Sequence, residues 1–178
     1  MALLPPDLVL HGDRLTLRPS VEPDVDALVA VLAEPAVKRW WRENDHDDVR
    51  QELHVGLTIL LGETVVGWLL VHEEDEPDYP SVAFDIALSE RLHGAGYGQE
   101  AMRVVLRHCI AAGHHRFTID PAVDNVRAIN SYAAVGFKPV GVLREQERWE
   151  DGHWGDGLLM DLLARELIDP DAPPAAEG

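Results

Sequence analysis

Cysteine is all but missing from these 178 residues: Cys109 stands alone, so no disulfide can form within the chain. In its setting, Val104-Val-Leu-Arg-His-Cys-Ile, it reads as a small apolar helix residue and not as a nucleophile. Basic residues are scarce, 15 Lys and Arg against 32 Asp and Glu, which leaves a formal charge of −17. Such a chain repels nucleic acid and anionic membranes and attracts cations, so the expected partner is a cationic small molecule. Acidity also serves plain solubility, and the placement of the acids must separate the two uses. No run approaches the roughly 18 apolar residues of a membrane span. The start, Met1-Ala-Leu-Leu-Pro-Pro-Asp, lacks both a basic segment and a signal-length apolar run, so a cytoplasmic location is expected. His114 and His115 are adjacent and diverge, and His108 has no partner at useful spacing; no metal is expected.

What is present is one apolar pattern, 46% hydrophobic, sufficient for one core over residues 1–168. Residues 169–178, rich in Pro, Ala and acids, read as a disordered tail. Leu8 to His11 and Arg14 to Pro19 flank a turn at Gly12-Asp13 and read as strand. Asp24 to Ala33 has helical spacing, with Pro35 after its end, and a second helix begins near Asp45 to Asp48. Leu57 to Leu61 and Val65 to His72 form a hairpin, followed by an acidic loop from Glu73. Ser81 to Leu88 alternates, with Val82, Phe84, Ile86 and Leu88 on one face and Asp85 on the other. A helix from Gln99 to Ala112, a strand from Arg116, a helix capped by Asp124 or Asn125, and two strands separated by a loop from Glu145 to Asp156 complete the chain. The order predicts an α/β fold, a mixed sheet with helices on both faces, as monomer or homodimer.

Between the strand ending at Leu88 and the next helix lies His93-Gly94-Ala95-Gly96-Tyr97-Gly98. Missing side chains at a helix start let backbone N–H groups approach an anion, though glycines serve tight turns as well. No Lys-Ser or Lys-Thr follows, which excludes a Walker loop. Gln99 stands where a dinucleotide fingerprint wants its third glycine.

Two segments together, His93-x-x-Gly96-x-Gly98 and Asn125-x-Arg127-Ala128-Ile129-x-x-Tyr132-x-x-x-Gly136-Phe137, resemble the GNAT superfamily of acetyl-coenzyme A-dependent N-acetyltransferases. The family pattern usually begins with Gln or Arg, so His93 is a departure. The resemblance implies a mostly antiparallel sheet and acetyl-coenzyme A as co-substrate. It places the diphosphate on His93, Gly94, Ala95, Gly96, Tyr97 and Gly98, the pantetheine arm along the backbone of Ile86, Ala87 and Leu88, a cofactor contact at Asn125, and an acid for the thiolate at Tyr132. Helix spacing alone makes Tyr132 a packing residue beside Ile129.

Asp85, opposite the apolar face and a few residues before the loop, is the candidate for amine chemistry. Asp120, before Pro121, supplies a second carboxylate or a simple turn. Trp40 and Trp41, with Glu43, fall between the two N-terminal helices, where the family builds its acceptor pocket. Glu145 and Asp156 bound the loop that closes it. Trp-Trp, Asp85 and Asp120-Pro121 look most like the aminoglycoside 6'-N-acetyltransferases, which implies acetylation of a 6'-amine. The segments also resemble siderophore-type lysine acyltransferases, whose mark is a histidine paired with the acceptor aspartate; the sequence offers Asp85 no such histidine. The opening Leu10-His-Gly-Asp-Arg-Leu-Thr-Leu-Arg-Pro is similar to protein N-terminal acetyltransferases. A catalytically silent acyl-coenzyme A-binding domain is the non-enzyme alternative.

Overall fold

Short alternating runs rich in Leu, Ile and Val assemble into one sheet of eight strands in the computed structural model, which describes residues 2–42 and 44–170. The strands are β1 (Leu10–His11), β2 (Leu15–Pro19), β3 (Gly56–Leu61), β4 (Thr64–Glu74), β5 (Ser81–Leu88), β6 (Arg116–Ile119), β7 (Lys138–Arg148) and β8 (Trp154–Leu163). Among the described residues the helices are α1 (Val25–Leu32), α2 (Pro35–Trp41), α3 (His46–Glu52), α4 (Tyr97–Ala111) and α5 (Val126–Ala133). The order across the sheet is β1-β2-β3-β4-β5-β6-β8-β7, and only β5 and β6 run parallel.

Alternation along β4 feeds two cores. Leu69 and Val71 join Leu15, Leu17, Phe84 and the α4 residues Met102, Val105 and Leu106 on one face. Trp68 and Leu70 join Val25, Leu28, Leu32, Val49 and Ala87 on the other. Each large side chain so buried contributes about 1.5–3 kcal/mol. Both faces are covered, as the order of elements predicts. Asp85 shares the second face but lies outside its apolar cluster, exposed to solvent.

A charged lock fixes the start of α1. Arg18 donates to both carboxylate oxygens of Asp24 at 2.7 Å, and Asp24 also accepts from Val21 N–H and the Thr58 hydroxyl. Burial raises the Asp24 pKa, yet these donors hold it below the ordinary range. Asp24 is therefore the end of a short 3-10 turn, Glu22–Asp24, and α1 begins one residue later than expected.

Other departures have physical reasons. Pro35 does not merely follow α1; it occupies the first position of α2, where its missing N–H costs nothing, so Trp40 and Trp41 lie in the last turn of a helix of their own. The late loop is much shorter than Glu145 to Asp156, because β7 continues to Arg148 and β8 starts at Trp154. As an edge strand open to solvent, β7 needs no apolar alternation to remain strand. Glu145 sits at φ 51° in a bulge of that strand, and its N–H donates to Asp156 at 2.8 Å. Asp169, the first residue of the expected tail, pairs with Arg107; residues 171–178 lie outside the described residues, as does Glu43.

Candidate active site

The parallel pair β5–β6 holds register only at Val82 with Phe117 and Ala83 with Thr118. Beyond that point the strands part, and a cavity of about 720 Å³ opens between them, walled by α2, the start of α4, α5 and the β7–β8 hairpin. Among the residues singled out in the sequence, Trp40, Trp41, Asp85, Ile86, Ala87, Leu88, His93, Gly94, Gly96, Gly98, Asp120, Asn125, Tyr132 and Asp156 line it.

One end is built from backbone. Gly94 and Gly96 adopt φ 76° and 81°, a left-handed geometry that side chains resist, and α4 starts directly after them with its first N–H groups unpaired by the helix. Nothing stands within 4 Å of a Cβ placed on Gly94, and only the Arg14 guanidinium approaches one on Gly96, at 3.6 Å. Free donors beside open space suit a diphosphate. From behind, Arg14 braces the loop: it pairs with Glu100 at 2.7 Å, donates to the Ala95 carbonyl at 3.0 Å and lies 3.8 Å over the Tyr97 ring. Ala95 and Tyr97 thus face the brace and are absent from the cavity wall, against expectation.

Along the parted edge of β5, two carbonyls are already engaged. Trp41 Nε1–H donates to Ile86 at 3.2 Å, and His93 Nε2 lies 2.8 Å from the Leu88 oxygen. His93 Nδ1 contacts an Arg127 nitrogen. Arginine can only donate, so Nδ1 accepts, Nε2 carries the hydrogen, and the ring is neutral. Burial lowers the His93 pKa, and the Arg127 charge lowers it further. The Asn125 side-chain oxygen Oδ1 caps α5 by accepting from Ala128 N–H at 3.3 Å. Tyr132 packs edge-on against Phe137 at 6.2 Å; burial, then the Asp85 charge, pushes its hydroxyl pKa up.

The other end is built from side chains. Trp41 leans on Trp68 at 6.2 Å, while Trp40 meets Trp149 of the hairpin at 6.1 Å and bridges the cavity rim. Asp85, Asp120 and Asp156 are joined by carboxylates that the sequence did not single out here, Glu147, Glu52 and Asp48. Arg42 reaches Glu147 at 3.2 Å, from a residue whose φ of 58° turns the chain sharply out of α2. Gln146 donates to Asp120. Burial, then the Asp85 charge, raises the Asp120 pKa, although Gln146 opposes them; burial raises Glu147 too, with Asp120 and Asp85 adding to it against Arg42.

Two expectations fail here. Glu145 does not line the cavity; the bulge brings in Gln146 and Glu147 instead. Asp85 does have a histidine: His72 Nε2 lies 3.4 Å from its carboxylate, because the β4–β5 register sets Leu70 opposite Asp85 and His72 one diagonal away. Asp85 raises the His72 pKa. No cluster of metal-ligating side chains occurs among the described residues, and no helix there is long and apolar enough to cross a membrane.

Residues 14–138 match a family model described as an acetyltransferase (GNAT) domain. No curated protein sequence matches the chain. Solved structures similar to it include a GNAT-family acetyltransferase from Bacillus anthracis (15% identity, 89% of this chain and 100% of that one, TM-score 0.77). Another is Mycobacterium smegmatis RimJ in complex with CoA-disulfide (23%, 92% and 90%, 0.75). A third is a spermidine N-acetyltransferase chimera from Vibrio cholerae and hSSAT (20%, 86% and 97%, 0.74).

Proposed function

The chain belongs to the GNAT acetyltransferase family, and on that premise we propose that it moves the acetyl group of acetyl-coenzyme A to a primary amine of a cationic small molecule, with the 6'-amine of an aminoglycoside as the expected acceptor. One observation supports the acceptor: Asp85, Asp120 and Glu147, close enough to act on one another's charge, line the same cavity as Trp40, which offers a ligand with flat faces and several ammonium groups both kinds of surface.

When bound, the thioester supplies an activated acetyl group. The glycine loop and the first turn of α4 hold its diphosphate, and the parted edge of β5 directs the pantetheine arm toward Tyr132. Asp85 and Asp120 draw in the ammonium and take up its proton, which frees the nitrogen lone pair for attack on the carbonyl carbon. His72 orients the Asp85 carboxylate. Tyr132, its pKa raised, keeps its proton at neutral pH and delivers it to the departing sulfur. The transfer is direct. Cys109, the one thiol, lies in the core with its pKa pushed up to about 12, so it does not serve as a nucleophile.

His72 beside Asp85 favours a second reading, a lysine-derived amine of the siderophore type. A peptide N-terminus fits less well, because Trp40 and Trp149 meet across the rim that a groove would leave open. Release of free coenzyme A from acetyl-coenzyme A separates these acceptors. Thiol is expected with kanamycin, while lysine analogues and peptides stay near the blank. Turnover with a lysine analogue alone selects the second reading, and turnover with none of them leaves the silent domain.

A further inference from the structure

The cavity is electrically lopsided. Asp48, Glu52, Asp85, Asp120, Glu147 and Asp156 gather on its acceptor side, and the lining cation there, Arg42, is engaged by Glu147. Arg127 lines the donor side, two residues past the Asn125 cap and in contact with His93, where the loop starts. It is exposed, and among the described residues it makes no ion pair; its contact is the neutral His93 ring.

That contact has an uncommon logic. A histidine beside an arginine is tolerated only if it stays neutral and turns a lone pair to the guanidinium. The Leu88 carbonyl enforces this by occupying Nε2–H at 2.8 Å. The strand end thus fixes the tautomer, the tautomer fixes the acceptor, and the acceptor holds a guanidinium at the mouth of Gly94–Gly98. One N–H of the guanidinium is used, and the rest of its planar fork is of the kind that meets phosphate oxygens two at a time.

Resting on the reading that this loop takes an acyl-coenzyme A, we infer that Arg127 is the side-chain cation for the diphosphate, and that His93 is the positioning residue that holds it there. The backbone N–H groups of the loop supply shape, and a residue from the following helix supplies charge. Both recognition segments thereby act on one ligand group.

Calorimetric titration of the intact protein with coenzyme A, dephospho-coenzyme A and pantetheine tests this without any turnover. Arg127→Gln is expected to weaken both diphosphate ligands about tenfold or more and to leave pantetheine unchanged. His93→Ala should lose less, and should lose nothing further in an Arg127→Gln background, because it acts only through Arg127. Loss for coenzyme A with dephospho-coenzyme A spared would move Arg127 to the adenosine 3'-phosphate and overturn the assignment. Equal loss for pantetheine overturns it as well, since that is a distorted loop, and so does an unchanged affinity in Arg127→Gln. If the wild type binds no coenzyme A at all, the donor reading itself has failed, a distinct result.

Discussion

The two ends of the cavity are made of different material. At the end proposed for the donor the contacts come mostly from backbone, two left-handed glycines and a helix start contiguous in sequence, stiffened from outside by Arg14, with Arg127 as the side-chain cation beside them. At the acceptor end they come from side chains delivered by α2, α3, β5, the end of β6 and both strands of the terminal hairpin. A backbone cradle tolerates substitution at its alanine, whose carbonyl and not its side chain meets the brace, and is intolerant at its glycines. A side-chain pocket behaves the other way round: its scaffold carries many sequences, and single replacements redirect it.

The sharpest way to break this contrast is Asp85→Asn. Turnover should fall by about 10²–10⁴, the range for losing a general base, with coenzyme A affinity essentially unchanged by calorimetry. Full activity in that variant removes Asp85 from the chemistry. Next in size is Gly96→Val, which asks a β-branched residue to adopt φ 81°; affinity for coenzyme A should drop roughly tenfold or more, with the acceptor preference retained. An unaffected affinity means that the loop conformation is not what binds.

These two halves differ equally in how plainly the sequence announces them. The residues proposed for the donor end fall in two compact segments, His93 to Gly98 and Asn125 to Phe137, and their joint resemblance to the GNAT pattern makes that end legible where the spacing of either segment alone does not. The acceptor end depends on tertiary register. His72 becomes a partner of Asp85 only through the pairing of β4 with β5. Glu147 faces the cavity because a bulge between Leu143 and Glu147 resets the alternation, which sequence parity cannot reveal. Trp40 and Trp41 were legible as a pair, but the helix holding them was hidden by Pro35, a residue that stops one helix and starts the next with equal ease.

Tyr132→Phe bears on the junction of the two ends. A loss of roughly tenfold in turnover is expected, smaller than for Asp85, since a thiolate leaves without much help. Equal rates for both proteins at every pH would return Tyr132 to packing against Phe137. The smallest effect is one of stability. Asp120 carries a folded pKa above its ordinary value, so the unfolded chain releases its proton first as pH rises, and the ionised carboxylate works against the fold above that window. Asp120→Asn keeps an oxygen for Gln146 and removes the charge. Its melting temperature should rise by about 2–4 °C at neutral pH while activity falls, and the advantage should vanish in acid. A melting temperature lowered at neutral pH refutes the claim that this carboxylate is held at the fold's expense.

The meeting of Trp40 with Trp149 across the rim has an optical consequence. Four of the five indoles, Trp40 with Trp149 and Trp41 with Trp68, meet in pairs on or beside the end proposed for the acceptor, and the fifth, Trp154, is exposed on the hairpin. Intrinsic emission is therefore weighted toward the pocket. A molecule that slides between α2 and the hairpin must separate two ring systems now 6.1 Å apart, and quenching or a wavelength shift will register its entry in real time, with no label attached and no acetyl group transferred.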